Sequence, residues 1–514
     1  MSKFLTKRNL FWFFAIIITV FALFLRINYY CFNYSFCGDE ANLVIPLILH
    51  SFKNILFSYE NLGELAPPLF FFAEKIVTNL FGISEYSVRI IPLISSLVSC
   101  FLFLFFTDKM LDNNRAKLLS LFLFAISSPL VIMAGFYKPY ATEVAFALLI
   151  LYFFGLKFSF KNKSIAVCSL VALIHVLCFL SSFQSVFIIF SCLAVHFIYT
   201  LIFERDKNVI CKILGVTFVD LICLGLYYIF FLRKIHENSH LNYLWANDYS
   251  FFPLAHRDIG QLTDFLFGHG SYWNVAPKAL IVVVLSMLFV GLVAFIVDLF
   301  VKKSAEAVYK FLLVVVPIAS MMLAGILNIY PFANRLVLSL LPLMLIIVSK
   351  PIDFKKKYLS AILTVVWLIV IGYYLQVSDL KDGRFHKIFD FEEPCFDRHI
   401  YQQLKEINEP EKAVYIEVSA FMTGFIYNYM YHYSDNVLSS DGSYLNISSF
   451  KNTDEFIDKI KNEKEIYFVY DNFLTEENID NFSKENRDDL YKYFNCEDIS
   501  DPARMYVLSK CIAK

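Results

Sequence analysis

Residues 10–43 read LFWFFAIIITVFALFLRINYYCFNYSFCGDEANL. The run from Leu10 to Cys31 holds one charge, Arg26, and is long enough to cross a bilayer, which takes about 20 apolar residues. Lys3, Lys7 and Arg8 precede it in the manner of a signal peptide. No small-x-small cleavage site follows and more apolar runs do, so the segment reads as a retained first helix. Just beyond it stand Asp39 and Glu40. Adjacent carboxylates past a membrane helix are either interfacial charges or acids facing a water-filled site, and the rest of the chain decides which.

The composition fits the same picture. Of 514 residues, 58% are hydrophobic and 18% charged, and the mean hydropathy is +0.58. Soluble proteins carry about 25% charged residues, so this is a polytopic membrane protein. The net charge of −1 says little about partners, because Lys and Arg cluster in particular loops. No nucleic-acid partner is expected. Most of the 11 cysteines lie in apolar runs, where Cys behaves as a small hydrophobe. Cys31 and Cys37 flank the outer end of the first helix and either pair or stay as free thiols.

Hydropathy places spans at 10–31, 89–107, 117–134, 140–157, 164–181, 183–203, 211–232, 278–301, 311–329, 333–349 and 358–377, eleven in all. Pro67–Phe81 is too short, opens with Pro67-Pro68 and carries Glu74 and Lys75, so it reads as a helix in the interface or re-entering it. With eleven spans, 19 Lys and Arg fall in inner segments and eight in outer ones before the tail. That is the bias cytoplasmic loops show, and counting Pro67–Phe81 as a span would reverse every later loop. The N-terminus is thus expected in the cytoplasm and the C-terminus outside, and the Lys, Asn, Ile and Phe content suggests a bacterial plasma membrane.

Inner loops are short. The outer side holds a first loop (32–88), a turn at Gly135-Phe-Tyr137-Lys138-Pro, a loop over 233–277, a turn at Tyr330-Pro-Phe-Ala-Asn-Arg335 and the tail. Loop length concentrates where function lies. From residue 378 the composition turns soluble. Ala413–Val418, Glu465–Tyr470 and Arg504–Ser509 read as strands, and Ser419–Tyr431 and Thr453–Lys461 as helices. The expected architecture is an all-α polytopic membrane domain over 1–377 and a small extracytoplasmic α/β domain over 378–514.

Charges near a span usually face a cavity or a partner, because they cost about 2.5–3.5 kcal/mol at a helix centre. Lys138 and Arg335 occupy outer turns and Arg89 opens the second helix, at the depth of Asp39 and Glu40. Cations and acids gathered at one level suit a site that holds a phosphate while deprotonating a hydroxyl. Each also has a structural reading: Lys138 snorkels, Arg335 caps or pairs, and Arg89 and Arg26 anchor their helices. Tyr137, Tyr330, Glu64 and His269 are candidate substrate contacts, whereas His175 and His196, within spans, read as packed. With no ATP-binding loop, any transfer requires a donor that is already activated.

Gly38-Asp39-Glu40-Ala, Ala66-Pro67-Pro68-Leu69, Phe81-Gly82-Ile-Ser-Glu85-Tyr-Ser-Val88-Arg89, Phe136-Tyr-Lys138-Pro and Tyr330-Pro-Phe-Ala-Asn-Arg335 with Leu340-Leu-Pro342 together resemble GT-C glycosyltransferases of the protein mannosyltransferase and aminoarabinose transferase type. The resemblance covers most of the membrane part and implies a many-helix fold, interface helices in the first outer loop, and a polyprenyl-phosphate sugar donor. It implies Asp39 as the catalytic acid/base, with Glu40 beside it and Lys138 and Arg335 toward the donor phosphate, and the charge cluster adds Arg89 as a third candidate for that phosphate. Two positions depart from the pattern: Ala66 where the family often has His, and Lys138 where it often has Arg. Loss of that His leaves a divalent metal cofactor an open question. The acceptor is a lipid, glycan or protein. A lipid-pyrophosphate oligosaccharide donor ranks lower, since the larger first loop of oligosaccharyltransferases is not seen. The alternatives from other classes are a transporter or lipid flippase, which would show paired broken helices or repeats, and a scaffold that binds through its tail.

Overall fold

The computed structural model describes residues 7–33, 66–233, 278–332 and 334–353, and single positions of the first loop, among them Glu40, Leu43, Val44 and Leu47. It also describes 364, 365 and 367 and, in the tail, residues 403, 413–417, 446–450, 460–471, 490–499 and 506–514. The protein is mostly helical, with a small C-terminal sheet.

Helix α1 (Lys7–Cys31) has 25 residues, about 37 Å at 1.5 Å per residue. Phe11, Ala15, Ala22, Leu25 and Tyr29 form its buried stripe, while Phe13, Ile16, Ile17, Val20 and Phe24 are exposed on the other side. A helix with apolar side chains all round belongs in a membrane. Next come α2 (Pro68–Phe81), α3 (Ile90–Met110), α4 (Asn114–Ile126) and α5 (Ser128–Ile132). They are followed by α6 (Tyr140–Leu149), α7 (Ile165–Ser181), α8 (Ser185–Tyr199) and α9 (Lys207–Tyr227). The bundle is completed by α10 (Lys278–Lys302), α11 (Ala305–Ile326) and α12 (Leu341–Ser349). Three helices widen into π-helical ends, at Ile150–Lys157, Thr200–Glu204 and Tyr228–Leu232.

Among the described residues, eight helices are long and apolar enough to span, or nine if one bent pair counts as a span. The differences from the eleven expected spans are specific. The 117–134 span is broken, with Asn114–Ile126 and Ser128–Gly135 bent by 54°. Pro129 lacks an N–H for the carbonyl four residues back, and the buried Arg26 of α1 supplies donors instead. Its Nη2 donates to Phe124 O at 3.1 Å and its Nη1 to Ala125 O at 3.4 Å. The 164–181 span is a shorter apolar helix, α7, and 358–377 lies almost wholly outside the described residues. Helix α2 has 14 residues, about 21 Å, which is short of a membrane crossing.

The tail sheet runs in the order β2-β1-β3-β5-β4. Its strands are β1 (Ala413–Glu417), β2 (Asn446–Phe450), β3 (Glu465–Asp471), β4 (Phe494–Asp498) and β5 (Tyr506–Ala513). β1 lies parallel to β2 and β3, and β5 antiparallel to β3 and β4. The three strands read from sequence are β1, β3 and β5, the interior ones. The two that sequence reading missed are both edges, polar and without an apolar run. The expected helix Ser419–Tyr431 lies outside the described residues, and of Thr453–Lys461 only the last two residues are described, with Ile460 helical. Cys496 and Cys511, directly opposed on β4 and β5, form a disulfide, while Cys31 is a free thiol. Cys37 lies outside the described residues.

Candidate active site

The site is built at the end of the bundle where α1, α3, α7 and α11 finish or begin on the Lys138 side. Glu40 is 1% and Arg89 2% exposed. Arg89 Nε donates to Glu40 Oε1 at 2.9 Å and Nη2 to Oε2 at 2.7 Å, a two-pronged pair. The backbone N–H of Tyr137 donates to the same Oε1 at 2.6 Å. One carboxylate thus ties the start of α3 to the turn that carries Lys138. Leu43, Val44 and Leu47 pack with Ala66, Phe70, Phe71, Val88 and the Tyr137 ring in a single buried cluster. The Tyr137 ring stacks on Phe70 at 5.9 Å. This apolar wrapping keeps water from the ion pair and strengthens it.

The turn itself depends on Gly135. A Cβ there would lie 2.7 Å from Tyr29 Cδ1, so only glycine lets the turn rest against α1. Lys138, two residues past Phe136, is 4% exposed and donates its N–H to Phe136 O at 2.8 Å. Tyr140 follows at the start of α6, and the Arg335 guanidinium sits over its ring at 5.6 Å. Tyr330 donates its hydroxyl to Leu336 O at 2.9 Å, closing the second turn upon itself. A buried link joins the two turns from below: Gln184 donates to the Glu143 carboxylate and accepts the Ser339 N–H at 3.1 Å.

The structure therefore brings Glu40, Arg89, Tyr137 and Lys138 together on one side, and Tyr140, Tyr330 and Arg335 on the other. Asp39, Glu64 and His269 lie outside the described residues. Arg89, expected toward a phosphate, has two of its nitrogens engaged by Glu40. Sequence reading singled out neither Gln184 nor Glu143 as a site residue. The available signal was a pair of polar side chains at the ends of apolar runs, 41 positions apart. His175, read as packed, is hydrogen-bonded to Asp220 at 2.7 Å. His196 meets Phe154 O at 3.0 Å.

Elsewhere in the first loop, Glu74 of α2 is fully buried, and neither of its carboxylate oxygens has a hydrogen-bond partner among the described residues. Burial alone pushes its carboxyl well above the ordinary range. Its neighbour Lys75 donates to Leu47 O at 2.6 Å, fastening α2 to the 40–47 segment. Among the described residues no group of three or more His, Cys, Asp or Glu is placed to hold a metal ion.

No protein-family model matches the chain, and no curated protein does either. Solved structures do. ArnT from Cupriavidus metallidurans, in the apo state, is 12% identical over 98% of this chain and 97% of its own, with a TM-score of 0.49. The same protein bound to undecaprenyl phosphate gives 12% identity and a TM-score of 0.48. The oligosaccharyltransferase AglB from Archaeoglobus fulgidus, in complex with an inhibitory peptide and a dolichol-phosphate, is 10% identical over 99% of this chain and 74% of its own, with a TM-score of 0.48.

Proposed function

We propose that the protein is a glycosyltransferase that moves a sugar from a polyprenyl-phosphate donor to an acceptor outside the cytoplasm, with inversion at the anomeric carbon. The observation that carries this reading is the Glu40 junction. It fastens the residue bonded to Asp39 to the turn bearing Lys138, which supports reading that acid and that cation as parts of one site. A lipid-phosphate sugar is already activated, and the protein has three tasks: to remove a proton, to steady the departing phosphate and to exclude water.

In this reading Asp39 takes the proton of the acceptor hydroxyl. The acceptor oxygen then bonds to the anomeric carbon as the bond from that carbon to the phosphate oxygen breaks. The electron pair leaves on the lipid phosphate, beside Lys138 and Arg335. Arg89 and Glu40 act as positioning residues that hold the strand of chain next to Asp39, and Gln184 and Glu143 set the spacing between the two cationic turns. Tyr137, Tyr330, Glu64 and His269 remain assigned to substrate contact. The donor lipid is of the class bound in the ArnT and AglB structures, and the acceptor is a lipid, glycan or protein of the cell envelope. The tail disulfide supports an oxidising location for the C-terminal domain over 378–514, on the side away from the cytoplasm.

The test is transfer or donor hydrolysis by purified protein, using radiolabelled polyprenyl-phosphate monosaccharides, with wild type beside Asp39→Asn. Turnover lost in a folded variant supports the reading, and turnover retained in Asp39→Asn refutes the assignment of the base. The competing transporter or flippase reading has one observation in its favour, the buried His175–Asp220 pair between two helices of the bundle. Movement of donor across a vesicle membrane that persists in Asp39→Asn and fails in Asp220→Asn would replace the enzyme reading with it.

A further inference from the structure

The bundle holds a second polar site, at the end opposite Lys138. From Tyr140, two residues beyond Lys138, α6 and its π-helical continuation run to Gly155, about 22 Å along the helix axis. A cavity of about 280 Å³ lies there, between the ends of the helices carrying Gly155, His196 and Tyr309. Four aromatic rings, Phe158, Phe160, Tyr199 and Tyr309, and two carboxylates, Glu204 and Glu306, line it. No Lys or Arg is among its lining residues.

Its floor is built rather than incidental. The two π-helical stretches Ile150–Lys157 and Thr200–Glu204 both border it, and such widened turns leave carbonyls free to take other donors. Tyr309 donates its hydroxyl to Gly155 O. The His196 ring meets Phe154 O at 3.0 Å and the Tyr309 hydroxyl at 3.4 Å. Behind this layer the Phe154 ring stands edge-on to His175 at 4.5 Å, and His175 meets Asp220 at 2.7 Å. His175 Nε2 and Asp220 Oδ1 have no hydrogen-bond partner among the described residues. Of the two carboxylates, Glu306 pairs with Lys310 at 2.8 Å. Glu204 accepts only the Thr200 hydroxyl, at 3.3 Å, and has no cationic partner among the described residues.

Lys163 Nζ lies 6.0 Å from the centre of the Phe158 ring, which leaves Tyr199, Tyr309 and Phe160 around an unneutralised carboxylate, the surroundings that hold an organic cation. We propose that this cavity binds a small alkylammonium group, with Glu204 as its counter-ion and Tyr199, Tyr309 and Phe160 as its aromatic walls. The group belongs either to the headgroup of an amine lipid in the adjoining leaflet or to a free amine. The site is independent of the sugar-transfer reading, which concerns the other end of the bundle.

The experiment uses the full chain in nanodiscs of phosphatidylglycerol. Choline binding is followed by equilibrium dialysis and ligand-observed NMR, beside 3,3-dimethyl-1-butanol, which has the same shape without the charge. Saturable choline binding is expected, with none for the neutral isostere and about 10-fold weaker binding in Glu204→Gln. Glu204 is exposed, so that variant keeps the fold, and Tyr199→Phe provides a control that retains the ring and should retain binding. Replacing part of the lipid with phosphatidylethanolamine separates the sources. Competition with choline identifies the lipid headgroup, and unchanged choline binding identifies a free amine. The proposal is overturned if choline does not saturate, if the neutral isostere binds equally, or if Glu204→Gln binds choline as wild type does.

Discussion

In a buried setting Glu40 accepts hydrogen bonds from Arg89 Nε and Nη2 and from the Tyr137 N–H. Removing Arg89 leaves a buried carboxylate uncompensated. Arg89→Ala is therefore expected to cost about 3–5 kcal/mol, read as a lower thermal midpoint in detergent. Arg89→Lys should recover only part of the loss, because an ammonium cannot reproduce the two-pronged geometry. Glu74 makes the opposite kind of prediction. Its folded carboxyl titrates above the ordinary value of 4.5 because burial disfavours the charge, so the folded state keeps a proton that the unfolded chain has lost. Stability is then full below about 4.5 and falls as the pH climbs toward the folded value. Thermal midpoints of wild type and Glu74→Gln should agree near pH 5 and separate in favour of the variant toward pH 9. Parallel curves across that range would show that Glu74 has a partner. At this scale the sequence singled out Glu40, Lys138 and Arg335 as charges gathered at one level of the bundle. It gave no sign that Glu40 is paired with a residue 49 positions away, because ion pairing across a bundle leaves no local pattern.

At the scale of the element, the break between α4 and α5 is the informative case. Arg26 donates to Ser96 Oγ at 3.0 Å and to Ala22 O at 3.0 Å, as well as to the carbonyls of Phe124 and Ala125. Its guanidinium also lies 5.1 Å from the centre of the Phe124 ring. Arg26→Met removes those donors while keeping bulk, and it is expected to destabilise by about 1–3 kcal/mol through orphaned carbonyls. Pro129→Ala in the Arg26→Met background should restore part of the loss by returning the N–H that the helix lacks. No restoration would detach the role of Arg26 from the break. Hydropathy could not see this feature, since an apolar run reads the same whether its helix is straight or bent by 54°. The same blindness explains β2 and β4. Edge strands bury one side at most, so their residues, NISSF and FNCED, carry no apolar run.

For the whole molecule, compartment is the property that the tail reports. Cys496 and Cys511 close a loop with a sequence separation of 15, for which the chain-entropy estimate is about 3 kcal/mol. Reduction should lower the melting transition of the tail by a corresponding amount. In intact cells both thiols should resist a membrane-impermeant maleimide until a reductant is added. Ready labelling without reduction would place the sheet with reduced thiols and remove its support for an outer location. The sequence by itself determined that the chain is a polytopic membrane protein, and it located three strands of the small C-terminal sheet. It also located the two turns, at Lys138 and Arg335, that the candidate site uses. Those properties follow from transfer free energy and charge, which are summed along the chain and need no contacts. Only the tertiary structure decided that Glu40 belongs to Arg89 and the Tyr137 N–H, that Gln184 bridges Glu143 to Ser339, and that a cavity lies at the far end. Such pairings depend on which helix faces which, and side chains from distant positions meet only when the bundle has packed.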